Sequence, residues 1–138
     1  MQRVSRARVT PGGEIGRGLC VLLGVAVTDL GEHADRLAAK IARLRVFENE
    51  AGRFDRSLLD VAGSALVVSQ FTLLADTAKG NRPSFTAAAR PDAAQRLYER
   101  FCVGLEREGV ADVARGVFGA RMEVELVNDG PVTIALDV

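Results

Sequence analysis

The chain has no tryptophan, one tyrosine, one histidine and two cysteines in 138 residues. A single histidine excludes any mechanism that needs two imidazoles, a His-rich zinc site among them. It also leaves a Ser-His-Asp triad dependent on His33 alone. Cys20 and Cys102 each sit in an apolar run, GLCVLLGV and RLYERFCVGL, the setting of buried free thiols. No metal and no cofactor is expected. Charge of one sign is lacking too: 18 Lys and Arg balance 18 Asp and Glu, for a formal charge of zero. That balance excludes a polybasic nucleic-acid binder but leaves room for a local basic patch. No apolar run approaches 18 residues, and no positively charged leader precedes an apolar stretch. Neither a membrane span nor a secretory signal is expected, and the expected compartment is the cytosol.

What is present is ordinary for a globular chain: 48% hydrophobic and 26% charged residues. The length suits one domain over 1–138. Residues 2–10 read as a half-exposed strand, reversed by Pro11-Gly12-Gly13 toward a second strand near Ile15. Residues 19–27 are almost all apolar, as in a strand covered on both faces. Ala34, Leu37, Ala38, Ile41 and Leu44 fall at helical spacing within 29–45, with Thr28 or Asp29 as N-cap and His33 at the solvent edge of the first turn. ENEAGR at 48–53 reads as a turn between short strands, 65–74 (ALVVSQFTLL) as a strong strand, and 76–86 as a basic loop. A second helix is expected over 91–108, opened by Pro91 and closed by Gly109. Residues 121–127 alternate strictly, and after 128–131 Val132, Ile134, Leu136 and Val138 share one face. The order strands, helix, strands, helix, strands defines one α+β domain.

Three segments carry possible chemistry. Ser69-Gln70-Phe71-Thr72 puts three polar side chains in an apolar strand. Each needs a partner if buried, since an unmet polar group costs about 1–3 kcal/mol, unless the strand end simply surfaces at the sheet edge. Neither hydroxyl has an obvious base. Asn128-Asp129-Gly130-Pro131 reads first as a hairpin turn, although proline removes a ladder donor and Gly-Pro bonds can be cis. Lys79-Gly80-Asn81-Arg82-Pro83 is either a solvated loop or a phosphate-binding one, with two cations around a glycine.

Taken together, these segments resemble the D-aminoacyl-tRNA deacylase family, formerly the D-tyrosyl-tRNA deacylases, nearly end to end. The likeness is carried by QRVSRARVT (2–10), GEIGRGLCVLLGV (13–25), ALVVSQFTLLADT (65–77), KGNRPSF (79–85), LYERF (97–101) and VNDGPVTIALDV (127–138). SQFT and the Gly-Pro of NDGPVT are both intact. Departures fall in the TPGGE turn (10–14), shorter than usual, and at Phe54-Asp55-Arg56-Ser57, where the family has MNLS. The resemblance implies an α+β fold with a barrel-like mixed or antiparallel sheet and two main helices, acting as a homodimer. It implies an ester hydrolase that frees D-amino acids from mischarged tRNA and also acts on glycyl-tRNA. The substrate partner would be the acceptor end and 3′-terminal adenosine of aminoacyl-tRNA.

Carried over residue by residue, Gly130 and Pro131 form a cis chirality filter that reaches into the partner's pocket, and Arg3 braces it. Ser69 binds the terminal adenosine and aminoacyl ester, while Gln70, Phe71 and Thr72 form the catalytic segment. On the phosphate-binding reading of their loop, Lys79 and Arg82 would meet tRNA phosphate. A rigid Gly-Pro turn suits chiral discrimination, because it denies space to an L side chain, admits a D one, and cannot reject glycine. With no imidazole at hand, a backbone donor near Phe71 and the ribose 2′-hydroxyl carry the reaction, with Thr72 as a less favoured nucleophile. Two alternatives stand beside it: a non-catalytic tRNA- or DNA-end binding protein of the same fold, and a sister deacylase of altered chirality, which would differ around Phe71 and Val132.

Overall fold

Alternation in the first ten residues becomes strand β1 (Gln2–Thr10), with Val4, Ala7 and Val9 buried. The computed structural model describes residues 1–138. The chain reverses through Pro11, Gly12 and Gly13 into the short β2 (Glu14–Ile15), then β3 (Gly18–Leu23). Gly12 has φ +143°, and a Cβ there would lie 2.6 Å from Val9 Cγ1, so the tight turn requires glycine. Helix α1 (Gly31–Arg43), β4 (Phe47–Glu48), β5 (Phe54–Arg56), β6 (Ser64–Ser69), a 3₁₀ turn (Phe71–Leu74), helix α2 (Pro91–Glu108), β7 (Val113–Arg115) and β8 (Glu123–Thr133) follow.

One edge of β1 pairs with β8 along its length, while β3 and β2 share the other edge. β3 and β6 run parallel with Leu19 opposite Ala65 and Leu23 opposite Ser69, and β7 adds in parallel beyond β6. Gly13 N–H donates to the Arg115 carbonyl at 3.0 Å and Gly12 bridges Gly116. These contacts bring the β1–β2 turn against the end of β7 and curl the mixed sheet into a nearly closed barrel.

Period-two side chains then serve two cores. Leu19, Val21, Leu23 and Val67 face the helices, where Ile41, Tyr98, Phe101 and Leu105 are buried. Cys20, Leu66 and Val68 face the inside of the curl with Val4, Val9 and Ile15. The strand covered on both faces is thus real over β3, and each fully buried Leu or Val contributes about 1.5–3 kcal/mol. The Tyr98 hydroxyl donates to the Val67 carbonyl at 2.8 Å, and burial raises its pKa well above the ordinary phenol value. Both cysteines are buried and unpaired, and burial raises both thiol pKa values.

The α+β class, the two helices and the barrel-like sheet agree with the sequence reading, and α2 begins and ends where Pro91 and Gly109 (φ +111°) place it. Several boundaries differ. α1 starts at Gly31, and neither Thr28 nor Asp29 is its N-cap. Leu30 is the cap residue, its N–H donating to His33 Nδ1 at 2.8 Å, while the Asp29 carboxylate accepts the Ala26 N–H. The strand expected over 19–27 stops at Leu23, because Gly24 lets the 3₁₀ turn pack where a side chain would stand. The strand expected over 65–74 stops at Ser69, because β3 ends there and leaves no further neighbour for the ladder. Residues 128–131 form no hairpin: they interrupt β8 between its Asn128–Val4 and Thr133–Gln2 pairs, with register shifts along the strand. Beyond Thr133 only Ile134 continues the pairing, exchanging hydrogen bonds with Met1.

Candidate active site

SQFT occupies the place where two parallel strands run out. Gln70 N–H donates to the Leu23 carbonyl at 2.8 Å, the last rung between β3 and β6. The chain then coils into the 3₁₀ turn, whose first amides have no acceptor within their own turn. Phe71 N–H and Thr72 N–H find none elsewhere in the chain. The Gln70 side-chain amide donates to Thr72 Oγ1. Phe71 is 56% exposed, its ring resting edge-on against Phe85 at 5.0 Å. Two free backbone donors, a tethered hydroxyl and an exposed aromatic therefore share one short turn. His33 makes no hydrogen bond to this turn; its Nδ1 accepts the Leu30 N–H.

Lys79 and Arg82 lie on an exposed loop closed at its base by paired hydrogen bonds between Asp76 and Ser84, at 2.7 and 2.8 Å. Gly80 supplies the positive φ of +67° at its tip. Phe85, next in sequence, ties the loop to Phe71.

Arg3 is buried at 5% exposure, unusual for a guanidinium and tolerable only with its donors satisfied. Nε donates to the Asp129 carbonyl at 3.0 Å, Nη1 to the Val46 carbonyl at 2.9 Å, and both terminal nitrogens approach Glu48 Oε1 at 3.4 and 3.3 Å. Gly130 and Pro131 are exposed and joined by a cis peptide, with Gly130 at φ +129°. Asn128 spans the base of this loop: its Oδ1 accepts the Val132 N–H at 3.0 Å and its Nδ2 donates to Thr133 Oγ1 at 2.9 Å. The sequence singled out Arg3, Gly130 and Pro131 as candidates, but not Asn128, Thr133 and Glu48, which hydrogen-bond around them. The Asn and Thr ends of NDGPVT were a usable signal for the first two. Nothing local pointed to Glu48, 45 residues from Arg3.

Within one chain the two motifs stay apart. β8 is three strand positions from β6, by way of β1 and β3, or roughly 14 Å along the sheet at about 4.8 Å per strand. No hydrogen bond joins Ser69, Gln70, Phe71 or Thr72 to residues 128–131. A largely apolar cavity of about 670 Å³ lies on the helix side of Leu73 and Leu74, but neither SQFT nor Gly130-Pro131 lines it.

The fold is shared with a solved structure described as a probable eukaryotic D-amino acid tRNA deacylase, with a TM-score of 0.81 over 93% of this chain and 91% of that one at 17% identity. Sequence narrows the class. The model of the family described as D-Tyr-tRNA(Tyr) deacylase matches residues 1–137. A D-aminoacyl-tRNA deacylase of Chloroflexus aurantiacus is 57% identical, with 99% of this chain and 88% of that protein covered; one of Deinococcus radiodurans is 53% identical, at 100% and 97%. The chain belongs to the D-Tyr-tRNA(Tyr) deacylase family. A solved structure described as a c-Myc DNA unwinding element binding protein is also similar, at 43% identity and a TM-score of 0.91 over 99% of this chain and 95% of that one.

Proposed function

We propose that this protein hydrolyses the ester bond of D-aminoacyl-tRNA, releasing the D-amino acid and free tRNA, and accepts glycyl-tRNA by the same geometry. The observation that carries the reading is the pair of unpartnered amides, Phe71 and Thr72, on an exposed turn inside an intact SQFT motif. Such donors stabilise the oxyanion of an attacked ester, an effect worth about 10²–10³ in rate. An aminoacyl ester is already activated, and the neighbouring ribose 2′-hydroxyl orients or assists the attacking water. Ser69 holds the terminal adenosine and the ester beside the catalytic segment Gln70–Thr72, and Lys79 and Arg82 meet phosphate near the acceptor end. Zero net charge suits a protein that grips only that end.

Selectivity falls to Gly130 and Pro131, supplied by a second copy of the chain. Their distance from SQFT along the sheet supports this, because a filter must stand beside the ester it screens. Buried, unpaired Cys20 and Cys102 suit a reducing compartment, the cytosol. The rival reading, binding to a nucleic-acid end without hydrolysis, draws on the DNA unwinding element binding relative.

Paired assays on D-Tyr-tRNA and L-Tyr-tRNA, with the active species sized by sedimentation, test the whole reading. Loss of the D ester alone, catalysed by a dimer, is expected. Binding without hydrolysis would favour the rival, and a stereoselective monomer would overturn the shared pocket. Thr72→Ala is expected to keep most of the turnover, since the amides and the 2′-hydroxyl remain. A fall of about a thousandfold with unchanged tRNA binding would make Thr72 a nucleophile instead.

A further inference from the structure

We propose that Glu48 is a positioning residue for the Gly130–Pro131 loop and acts on it through Arg3, an assignment that rests on reading that loop as the selectivity element. The Arg3 head is a planar spacer between two parts of the fold. On one side it meets β4 and the residue before it, through the Glu48 carboxylate and the Val46 carbonyl. On the other, Nε holds the carbonyl of Asp129, the residue before Gly130, and stands 3.8 Å from its carboxylate. The Phe54 ring of β5 lies 5.7 Å from the guanidinium carbon. No slack exists at the far side: a Cβ built on Gly130 would fall 2.8 Å from Nη2, so that nitrogen rests against the Gly130 backbone.

Glu48 Oε1 is the one acceptor of Nη2, the nitrogen that touches Gly130. The two remaining anchors of the head are main-chain carbonyls, which no side-chain change removes. Without the carboxylate, Nη2 loses its one protein acceptor and the head turns about its Nε and Nη1 bonds toward the water that takes the place of the half-exposed Glu48 side chain. The spacer then no longer presses on Gly130, and the loop relaxes toward the space it vacates. β4 and β5, outside the main sheet, thereby set the pose of a loop on β8.

Initial rates on D-Tyr-tRNA and L-Tyr-tRNA, with melting temperatures, test this in the full-length protein. Glu48→Ala is expected to lower the D/L rate ratio about tenfold or more, the scale of a lost hydrogen bond to a charged group. Glu48→Gln restores most of the ratio, because an amide oxygen still accepts from Nη2. In an Arg3→Ala background, or Arg3→Lys if that variant does not fold, Glu48→Ala adds no further loss. An unaltered ratio in Glu48→Ala with a lowered melting temperature would reduce Glu48 to a stability role. The same fall with and without Arg3 would also overturn the proposal, by showing a route that bypasses Arg3. The wild-type arm judges the function separately: a D-selective wild type with an unaltered Glu48→Ala ratio fails this assignment alone.

Discussion

Gly130→Ala is expected to cut kcat/KM on D-Tyr-tRNA by about a hundredfold or more, the cost of displacing a positioning group by roughly 1 Å. Two observations set the size. Gly130 sits at φ +129°, which an L side chain rarely adopts and which costs of order 1–3 kcal/mol to hold. The new Cβ would also meet Arg3 Nη2 at 2.8 Å and Val132 Cγ2 at 2.9 Å. One neighbour is the guanidinium that holds the Asp129 carbonyl and the other belongs to the loop, so neither moves without moving the loop. If the loop screens the substrate as proposed, residual activity should be less stereoselective. The loop is exposed, so the fold should survive, and a melting curve separates this outcome from unfolding. Wild-type rates and an unchanged D/L ratio would show that the loop does not touch the substrate.

A comparable loss is expected from the substrate side. D-Tyr-tRNA ending in 2′-deoxyadenosine should bind normally yet turn over about a hundredfold more slowly or worse, the usual scale for removing a group that handles a proton in the transition state. No imidazole is hydrogen-bonded to the SQFT turn: His33 Nδ1 accepts the Leu30 N–H at the start of α1. The Thr72 hydroxyl is hydrogen-bonded to the Gln70 amide and has no carboxylate or imidazole partner to act as its base. Binding is read separately by competition with uncharged tRNA. Normal turnover on the deoxy ester would return the chemistry to protein groups and make Thr72 the first of them to examine.

How much of this was legible in the sequence depended on the range of the cause. Helix α2 was, because its apolar spacing and Pro91 lie within its own 18 residues and its closing Gly109 follows directly. The two-faced burial of β3 was, since both of its core faces are written in one apolar run. The end of β6 was not: apolar residues recur past Ser69 at Phe71, Leu73 and Leu74, and what stops the strand is the end of β3, some 45 residues earlier. The start of α1 was misread because the Asp29 carboxylate serves Ala26 while an imidazole takes the Leu30 amide. At Asn128-Asp129-Gly130-Pro131 the local signal for a hairpin is genuine, but β1 holds both flanks in one long strand and the loop bulges instead. The site motifs could be found by resemblance. Their braces, Val46 and Glu48 on Arg3, could not, because contacts between distant segments leave no periodicity behind.

The long strand that carries this bulge has one partner, β1, and its other side is an open edge of eleven residues. An edge of that length is a template on which any extended chain can grow, the first step of sheet aggregation. Here the template is broken. Exposed Glu123 and Glu125 set like charges near its start, and the bulge at 128–132 throws the remaining groups out of register. Pro131 offers no N–H to an incoming strand. Straightening this segment to gain regular pairing would therefore also lengthen a sticky edge, and solubility gives a second reason, independent of any substrate, for the loop to stay bent.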